Sequence, residues 1–167
     1  MLNSREILEL IKEKELIRDY VDVSIQLQPS GFDLSLSEIH EYADSGRVDF
    51  TNKERCLAST IPLKEDEEGW FTLCKGCYLV VFNETVKIPL DTVAIARTRS
   101  TLLRNGASVE TAVWDPGYHG RSSSLLVVHN PKGIKLKKNS RIVQLVFFRM
   151  KEVEQGYKGV YQGERLR

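Results

Sequence analysis

Val109-Glu110-Thr111-Ala112-Val113-Trp114-Asp115-Pro116-Gly117-Tyr118-His119-Gly120 packs a carboxylate, a Pro-Gly bend and an aromatic between apolar runs. Such runs around a turn read as two strands of a hairpin. A carboxylate at a strand end is held rigidly, a Pro-Gly bend turns backbone amides and carbonyls toward a ligand, and Tyr118 supplies a flat apolar wall. The same residues also suit an exposed hairpin tip, where Asp, Pro and Gly are turn chemistry. Taken alone, the stretch leaves both readings open.

Outward from it, residues 70–73, 78–83 and 93–97 are rich in β-branched and aromatic side chains, separated by Lys75-Gly76 and Pro89-Leu90-Asp91 turns. Residues 124–129, 134–137 and 141–148 continue the pattern, and residues 47–50 suggest a further short strand. A strand begins at Pro29-Ser30-Gly31, with Phe32, Leu34 and Leu36 on one face and Asp33 and Ser35 on the other. Only the start is helical. Asn3 and Glu6 form a capping box, and Ile7, Leu8 and Ile11 make an apolar stripe, which predicts a helix over residues 4–14. Many short strands behind one helix argue for an all-β sandwich or barrel.

The 167 residues suit one compact domain, residues 1–167, that needs no metal or disulfide to fold. Lys plus Arg number 24 against 23 Asp plus Glu, so no global field marks a nucleic-acid or membrane binder. Any anion must be held by a local cluster. The start lacks a basic-then-apolar secretory pattern, and the three cysteines are an odd number, so a cytoplasmic chain with reduced thiols is expected. Apolar runs such as residues 142–148 fall far short of a membrane span.

Cys74-Lys75-Gly76-Cys77 has the spacing of half a zinc site or of a redox pair, but no second pair of ligands accompanies it, which favours small buried residues flanking a tight turn. Neither the zinc deaminase pattern H-x-E with P-C-x-x-C nor a G-x-S-x-G elbow is present. Residues 96–106 hold three arginines and three hydroxyls after a strand, with residues 100–104 able to form a helical turn. That suits phosphate and equally suits a solvated basic turn. The acidic run at residues 65–68 reads as a solvated loop, and the whole 37–69 segment shows no nameable chemistry. Residues 155–167, Gly-rich with Tyr157 and Tyr161, read as a frayed end or as a flexible C-terminal flap over a ligand.

With these motifs laid out, the chain resembles the dUTPase and dCTP deaminase superfamily in its archaeal form. Pro29-Ser30-Gly31-Phe32-Asp33-Leu34 is similar to the family's first motif, A-G-x-D-L, and Arg99-Ser100-Thr101-Leu102 to the second, R-S-S-L. Residues 111–120 resemble the third motif, the nucleoside-receiving hairpin. Arg141-Ile142-Val143-Gln144-Leu145 resembles the fourth, R-I-A-Q-L, and residues 157–163 resemble the closing tail of the deaminase branch.

The resemblance implies a distorted, jelly-roll-like β-barrel with a short N-terminal helix. It implies Asp115 as the base that activates water, with Gly31, Asp33, Gly117, Gly120 and Arg141 as motif structure. Arg99, Ser100, Thr101 and Arg104 would grip phosphates, and Ala112, Val113 and Trp114 would read uracil through their backbone. Tyr118 would pack under the deoxyribose, and Gln144 would support the hairpin or a phosphate. Tyr157, Tyr161 and Gln162 would close the site. Mg2+ would be carried through phosphates and waters with no direct protein ligand, and the protein would be a homotrimer with shared sites.

In the family, deaminases carry a glutamate ten positions after the motif-three aspartate, and here that position is Leu125. A leucine cannot transfer a proton, although Ser100 and Arg104 match the deaminase branch. Where deaminases have lysine before Tyr-Gln, this chain has Val160. The expectation is therefore hydrolysis of dUTP to dUMP and diphosphate. The alternatives are a dCTP deaminase, a bifunctional enzyme, or a nucleotide-binding regulatory module that no longer hydrolyses.

Overall fold

A computed structural model describes residues 1–166 of the chain. Helix α1 (Ser4–Lys14) spans the predicted residues, and both halves of its capping box form: Glu6 N donates to Asn3 Oδ1 at 3.1 Å and Asn3 N to Glu6 Oε2 at 2.9 Å. Ile7, Leu10 and Ile11 bury its apolar stripe, and Leu2 N donates to Phe147 O at 2.8 Å, tying the helix start to the last strand.

After β1 (Ile17–Arg18) comes a short helix the sequence reading missed, α2 (Val23–Gln26), capped by Asp22. Next follow β2 (Leu27–Gln28), β3 (Gly31–Tyr42), β4 (Thr60–Pro62), β5 (Trp70–Leu73), β6 (Gly76–Phe82), β7 (Thr85–Lys87) and β8 (Thr92–Thr98). Helix α3 (Ser100–Arg104) then leads to β9 (Ala107–Glu110), β10 (His119–Gly120), β11 (Ser123–Val128), β12 (Ile134–Lys137) and β13 (Arg141–Arg149). The main antiparallel sheet runs β8-β13-β3-β6-β11-β9, with β2 and β4 added to β3.

Its two edges are drawn together by side chain as well as backbone. Thr98 Oγ1 donates to Val109 O at 3.0 Å and accepts from Val109 N at 2.9 Å, so a hydroxyl stands where ladder bonds are missing. Ala94 and Trp114 exchange backbone bonds of 2.9 and 3.0 Å beside it. This nearly closes the sheet into the expected barrel, around a core that includes Phe32, Phe82, Leu126, Val143 and Phe147. On β3, Asp33 and Ser35 are buried along with the apolar residues opposite them, because α2 and Glu84 cover that face.

Three expectations differ from the structure. Residues 47–50 form no strand, only a bridge between Arg47 and Cys56. The strands of the 109–120 stretch do not pair with each other: β9 pairs with β11 and β10 with β7. The intervening loop is pulled apart by its own anchors, Trp114 on Ala94 and Gly117 N on Ile88 O at 2.9 Å. Cys74 and Cys77 are free and exposed, not buried, because the ring of Tyr78 takes the interior place and its hydroxyl donates to Cys74 O at 3.0 Å. Among the described residues no helix is long and apolar enough to cross a membrane.

Candidate active site

The loop between β9 and β11, the start of β11 and the tail enclose a cleft of about 1110 Å3 that contains Asp115. Trp114 is the loop's anchor. Its indole is buried and donates to Ser122 Oγ at 3.1 Å, so the next side chain, Asp115, is projected outward and stands exposed in the cleft. Ala112 and Val113, also exposed, line the same wall.

Tyr118 lies with its ring buried against Tyr157, edge to face at 5.8 Å between centroids, and its hydroxyl donates to Glu164 Oε1 at 2.9 Å. Burial, then the Glu164 carboxylate, push the Tyr118 phenol above its ordinary range, and burial raises Glu164 despite the phenol's bond and the charge of Arg165. Both groups are therefore neutral donor and acceptor over a wider range than usual.

The tail from residue 156 to 164 follows this loop closely; Arg167 of the expected flap lies outside the described residues. Tyr157 N donates to Pro116 O at 2.8 Å and Gly163 N to His119 O at 2.8 Å. Gln162 bridges the loop, accepting from His119 N at 3.0 Å and donating to Gly117 O at 2.9 Å. Gly117 makes the approach possible. Its φ is +82°, and a Cβ there would stand 2.7 Å from Gly156 Cα. Gly120 sits beyond it in β10, while Tyr161 lines the cleft from the tail.

The predicted phosphate-binding residues lie elsewhere. Arg99, Thr101 and Arg141 line a second cavity of about 870 Å3, together with Lys132 and Lys135, which the sequence reading passed over. Asp33 organises the arginines. Its Oδ2 accepts from Arg141 Nη1 at 3.1 Å and faces Arg99 Nε at 3.2 Å, and burial raises its carboxyl more than the two guanidiniums lower it. Asp33 Oδ1 is buried without a partner. Gly31 lets β13 approach, since a Cβ there would stand 2.5 Å from Leu145 O and 2.9 Å from Gln144 Nε2. Gln144 is thus packed between β3 and β8, in neither cavity. Ser100 and Arg104 are exposed on α3 and also line neither. No residue lines both cavities. One chain therefore groups Ala112, Val113, Trp114 and Tyr118 with Asp115 and leaves Arg99 and Thr101, predicted to grip phosphates, in a separate cavity.

A buried polar network braces the second cavity. Glu84, wholly buried, accepts from Ser35 N at 2.9 Å, from Ser35 Oγ at 2.5 Å and from Gln26 Nε2 at 2.5 Å. Gln26 in turn accepts from Val21 N and Asp22 N at 2.8 and 2.9 Å, fixing the turn whose Ile25 O takes a 2.7 Å bond from Arg141. Burial raises the Glu84 carboxyl above its ordinary 4.5. Removing it orphans buried donors and opens a hole, so Glu84→Ala is expected to cost about 2–4 kcal/mol. Between the ordinary and raised values the folded chain binds the proton more tightly than the unfolded chain, so the native contribution falls as pH rises. Urea melts at about pH 5 and about pH 8 check this: the deficit of the variant should be larger at the acid end.

Sequence reasoning missed Glu84, Gln26 and Glu164 because each is a lone polar residue with a decisive partner far along the chain, Gln26 with Glu84 and Glu164 with Tyr118. It also missed that Arg55, Leu57, Ala58 and Thr60, from the segment without nameable chemistry, line the Asp115 cleft. Leu125 lines that cleft too, and its partner across the β9–β11 pair is Glu110, a carboxylate in the same wall.

A nearly closed barrel carrying this loop, tail and paired-arginine arrangement defines a protein of the dUTPase-like fold class. The sequence model of the dCTP deaminase-like family matches residues 1–150. A Methanosarcina mazei protein named "Probable deoxyuridine 5'-triphosphate nucleotidohydrolase" is 51% identical over 166 residues, covering 98% of this chain and 97% of its own. An Archaeoglobus fulgidus protein of the same name is 50% identical over 167 residues, covering 99% and 98%. A Methanocaldococcus jannaschii protein named "Deoxyuridine 5'-triphosphate nucleotidohydrolase" is 37% identical over 139 residues, covering 83% and 88%. Among solved structures, the 2'-deoxycytidine 5'-triphosphate deaminase from Agrobacterium tumefaciens matches with a TM-score of 0.64 at 21% identity over 87% of this chain. The chain spans 47% of that deaminase's length, and the likeness shows the fold. The chain belongs to the dUTPase and dCTP deaminase family.

Proposed function

We propose that the chain is a dUTP diphosphatase, hydrolysing dUTP to dUMP and diphosphate. The observation that carries this reading is Asp115, exposed in a cleft beside the buried Tyr118, with leucine at the position where the family's deaminases place their acid/base. The names of the archaeal relatives support it.

Asp115 orients a water in line with the α-phosphorus and takes its proton as the new O–P bond forms and the bond to the β-phosphate oxygen breaks. Backbone groups of Ala112, Val113 and Trp114 read the uracil edge. Tyr118 packs under the deoxyribose and leaves no room for a 2'-hydroxyl. Tyr157, Tyr161 and Gln162 act in a C-terminal flap that excludes water. Arg99, Ser100, Thr101 and Arg104 hold phosphates, with Arg141 and Asp33 holding Arg99 and Gln144 steadying the barrel wall. Since one chain keeps these groups away from Asp115, the working unit is a homotrimer in which a neighbour supplies them.

Among the described residues no group of three or more His, Cys, Asp and Glu side chains could hold a metal. The oxygen chemistry of a triphosphate beside Asp115 suits a hard cation that rests on phosphate oxygens and waters. Mg2+ would be held there through phosphates and waters, with no direct protein ligand, and would supply neutralisation of phosphate charge. The protein would act in the cytoplasm.

A second reading, a bifunctional enzyme that also deaminates dCTP, is favoured by Glu110. Directly paired residues on one sheet face stand about 4.5–5.5 Å apart between Cβ atoms, so Glu110 could reach a proton near Leu125. Turnover of dUTP and dCTP with Mg2+, assayed for diphosphate and ammonia in the same tubes, separates the readings. Diphosphate from dUTP with no ammonia from dCTP is expected; ammonia would move the activity to the second reading.

A further inference from the structure

Residues 43–59 leave β3 and return to β4 as an arm built on its own hydrogen bonds. At the base, Ala43 N donates to Ser59 O at 2.9 Å, and Asp44 accepts from Ser59 N at 2.8 Å and Ser59 Oγ at 2.5 Å. Midway, Arg47 and Cys56 exchange backbone bonds of 2.7 and 3.0 Å, and Gly46 lets the legs lie so close that a Cβ would stand 2.9 Å from Cys56 O. At the tip, Asp49 accepts from Thr51 N, Thr51 Oγ1, Lys53 N and Glu54 N at 2.7–3.2 Å. A tip stapled in this way holds one shape.

That shape presents Val48, 88% exposed, and Phe50, 103% exposed, to solvent, with Leu57 60% exposed on the return leg. Ordering a loop costs conformational entropy, and an ordered arm that buries none of its large apolar side chains in its own core is built to be covered. The charge of the arm says what does not cover it. Arg47, Lys53 and Arg55 balance Asp44, Asp49 and Glu54, so the arm offers no field to a nucleic acid or an anionic membrane.

Its position says what does. Arg55, Leu57 and Ala58 form part of the wall of the Asp115 cleft, and that cleft lacks Arg99 and Thr101, which line the other cavity. Whatever brings those groups to Asp115 must stand against this wall, and a second copy of the chain carries them. We infer that the 43–59 arm is an intersubunit finger: Val48 and Phe50 seat on a neighbouring copy, and the return leg closes the cleft that the two copies share. This rests on the shared-site reading above and adds the element that holds the copies together.

The test uses the full chain and a Val48→Ser/Phe50→Ser double variant, chosen because neither side chain is buried in its own chain. Sedimentation over a concentration series should show a self-associated wild type and a variant whose dissociation constant for assembly is raised at least about tenfold. Circular dichroism should be unchanged, and specific activity of the variant alone should climb with protein concentration. A Phe50→Trp variant reads the contact directly: its difference emission should be blue-shifted in the assembly and move to the red on dilution. An unchanged mass for the double variant at every concentration, or a red emission in the intact assembly, would overturn the finger. A monomeric wild type would show that the finger seats on something other than a second copy, and would overturn it while leaving any dUTP hydrolysis standing. A finger-dependent assembly that releases no diphosphate from dUTP would support the finger and overturn the proposed activity instead.

Discussion

Asp115→Asn is expected to lower dUTP turnover about 10^2- to 10^4-fold while leaving nucleotide binding and thermal stability nearly unchanged. The reasoning is local. Asp115 is exposed, and the loop that carries it is fixed by Trp114, through Ser122 and Ala94, and by Gly117 on Ile88. Asparagine matches the shape and leaves those anchors untouched, but it cannot take a proton from water. Loss confined to kcat identifies a base. A rise in KM at constant kcat would instead make Asp115 a substrate-binding group, and unaltered turnover would remove it from the mechanism. Single-turnover kinetics with excess enzyme distinguishes these outcomes, because it reads the chemical step apart from product release.

Much of the scaffold behind this prediction is legible in the sequence, because local chemistry decides it. The Asn3–Glu6 box and the stripe of α1 need only residues within one or two turns, and they form over the predicted span. Strands β5, β8, β12 and β13 follow β-branched runs between Gly, Pro and Asn turns. What failed were features decided by distant partners. The 109–120 stretch reads as a hairpin, yet its ends pair with β11 and β7, because the buried ring of Trp114 and the Gly117 turn each find an anchor far along the chain. Asp33 and Ser35 read as the face opposite Phe32, Leu34 and Leu36, but alternation does not show that α2, Gln26 and Glu84 cover that face. The cysteine spacing says nothing of exposure, which Tyr78 decides. The candidate site divides too: Asp115 and Tyr118, close in sequence, line one cavity, while Arg99 and Thr101 line another, a separation that local spacing does not reveal and that the expected shared sites allow.

That division predicts rescue between two crippled chains. Arg99→Ala removes a guanidinium that Asp33 holds at 3.2 Å and that lines the basic cavity proposed to take phosphate. A charge-assisted bond is worth about 1.5–3 kcal/mol, so dUTP affinity should fall roughly 10- to 100-fold. Measured at dUTP well below KM, the Asp115→Asn chain should be nearly inactive and the Arg99→Ala chain should keep about a tenth of wild-type activity or less. If each site takes Asp115 from one copy and Arg99 from another, an equimolar mixture, dissociated and reassembled at random, carries both intact residues in about a quarter of its sites. Activity should therefore rise on mixing to about a quarter of the wild-type value. Sites complete within one chain would gain nothing, since every chain in the mixture lacks one of the two groups. The result also bears on the finger: reassembly with Val48→Ser/Phe50→Ser added to both chains should abolish the rescue at protein concentrations where the unmodified pair shows it, because complementation needs the copies to meet at the cleft that the arm borders.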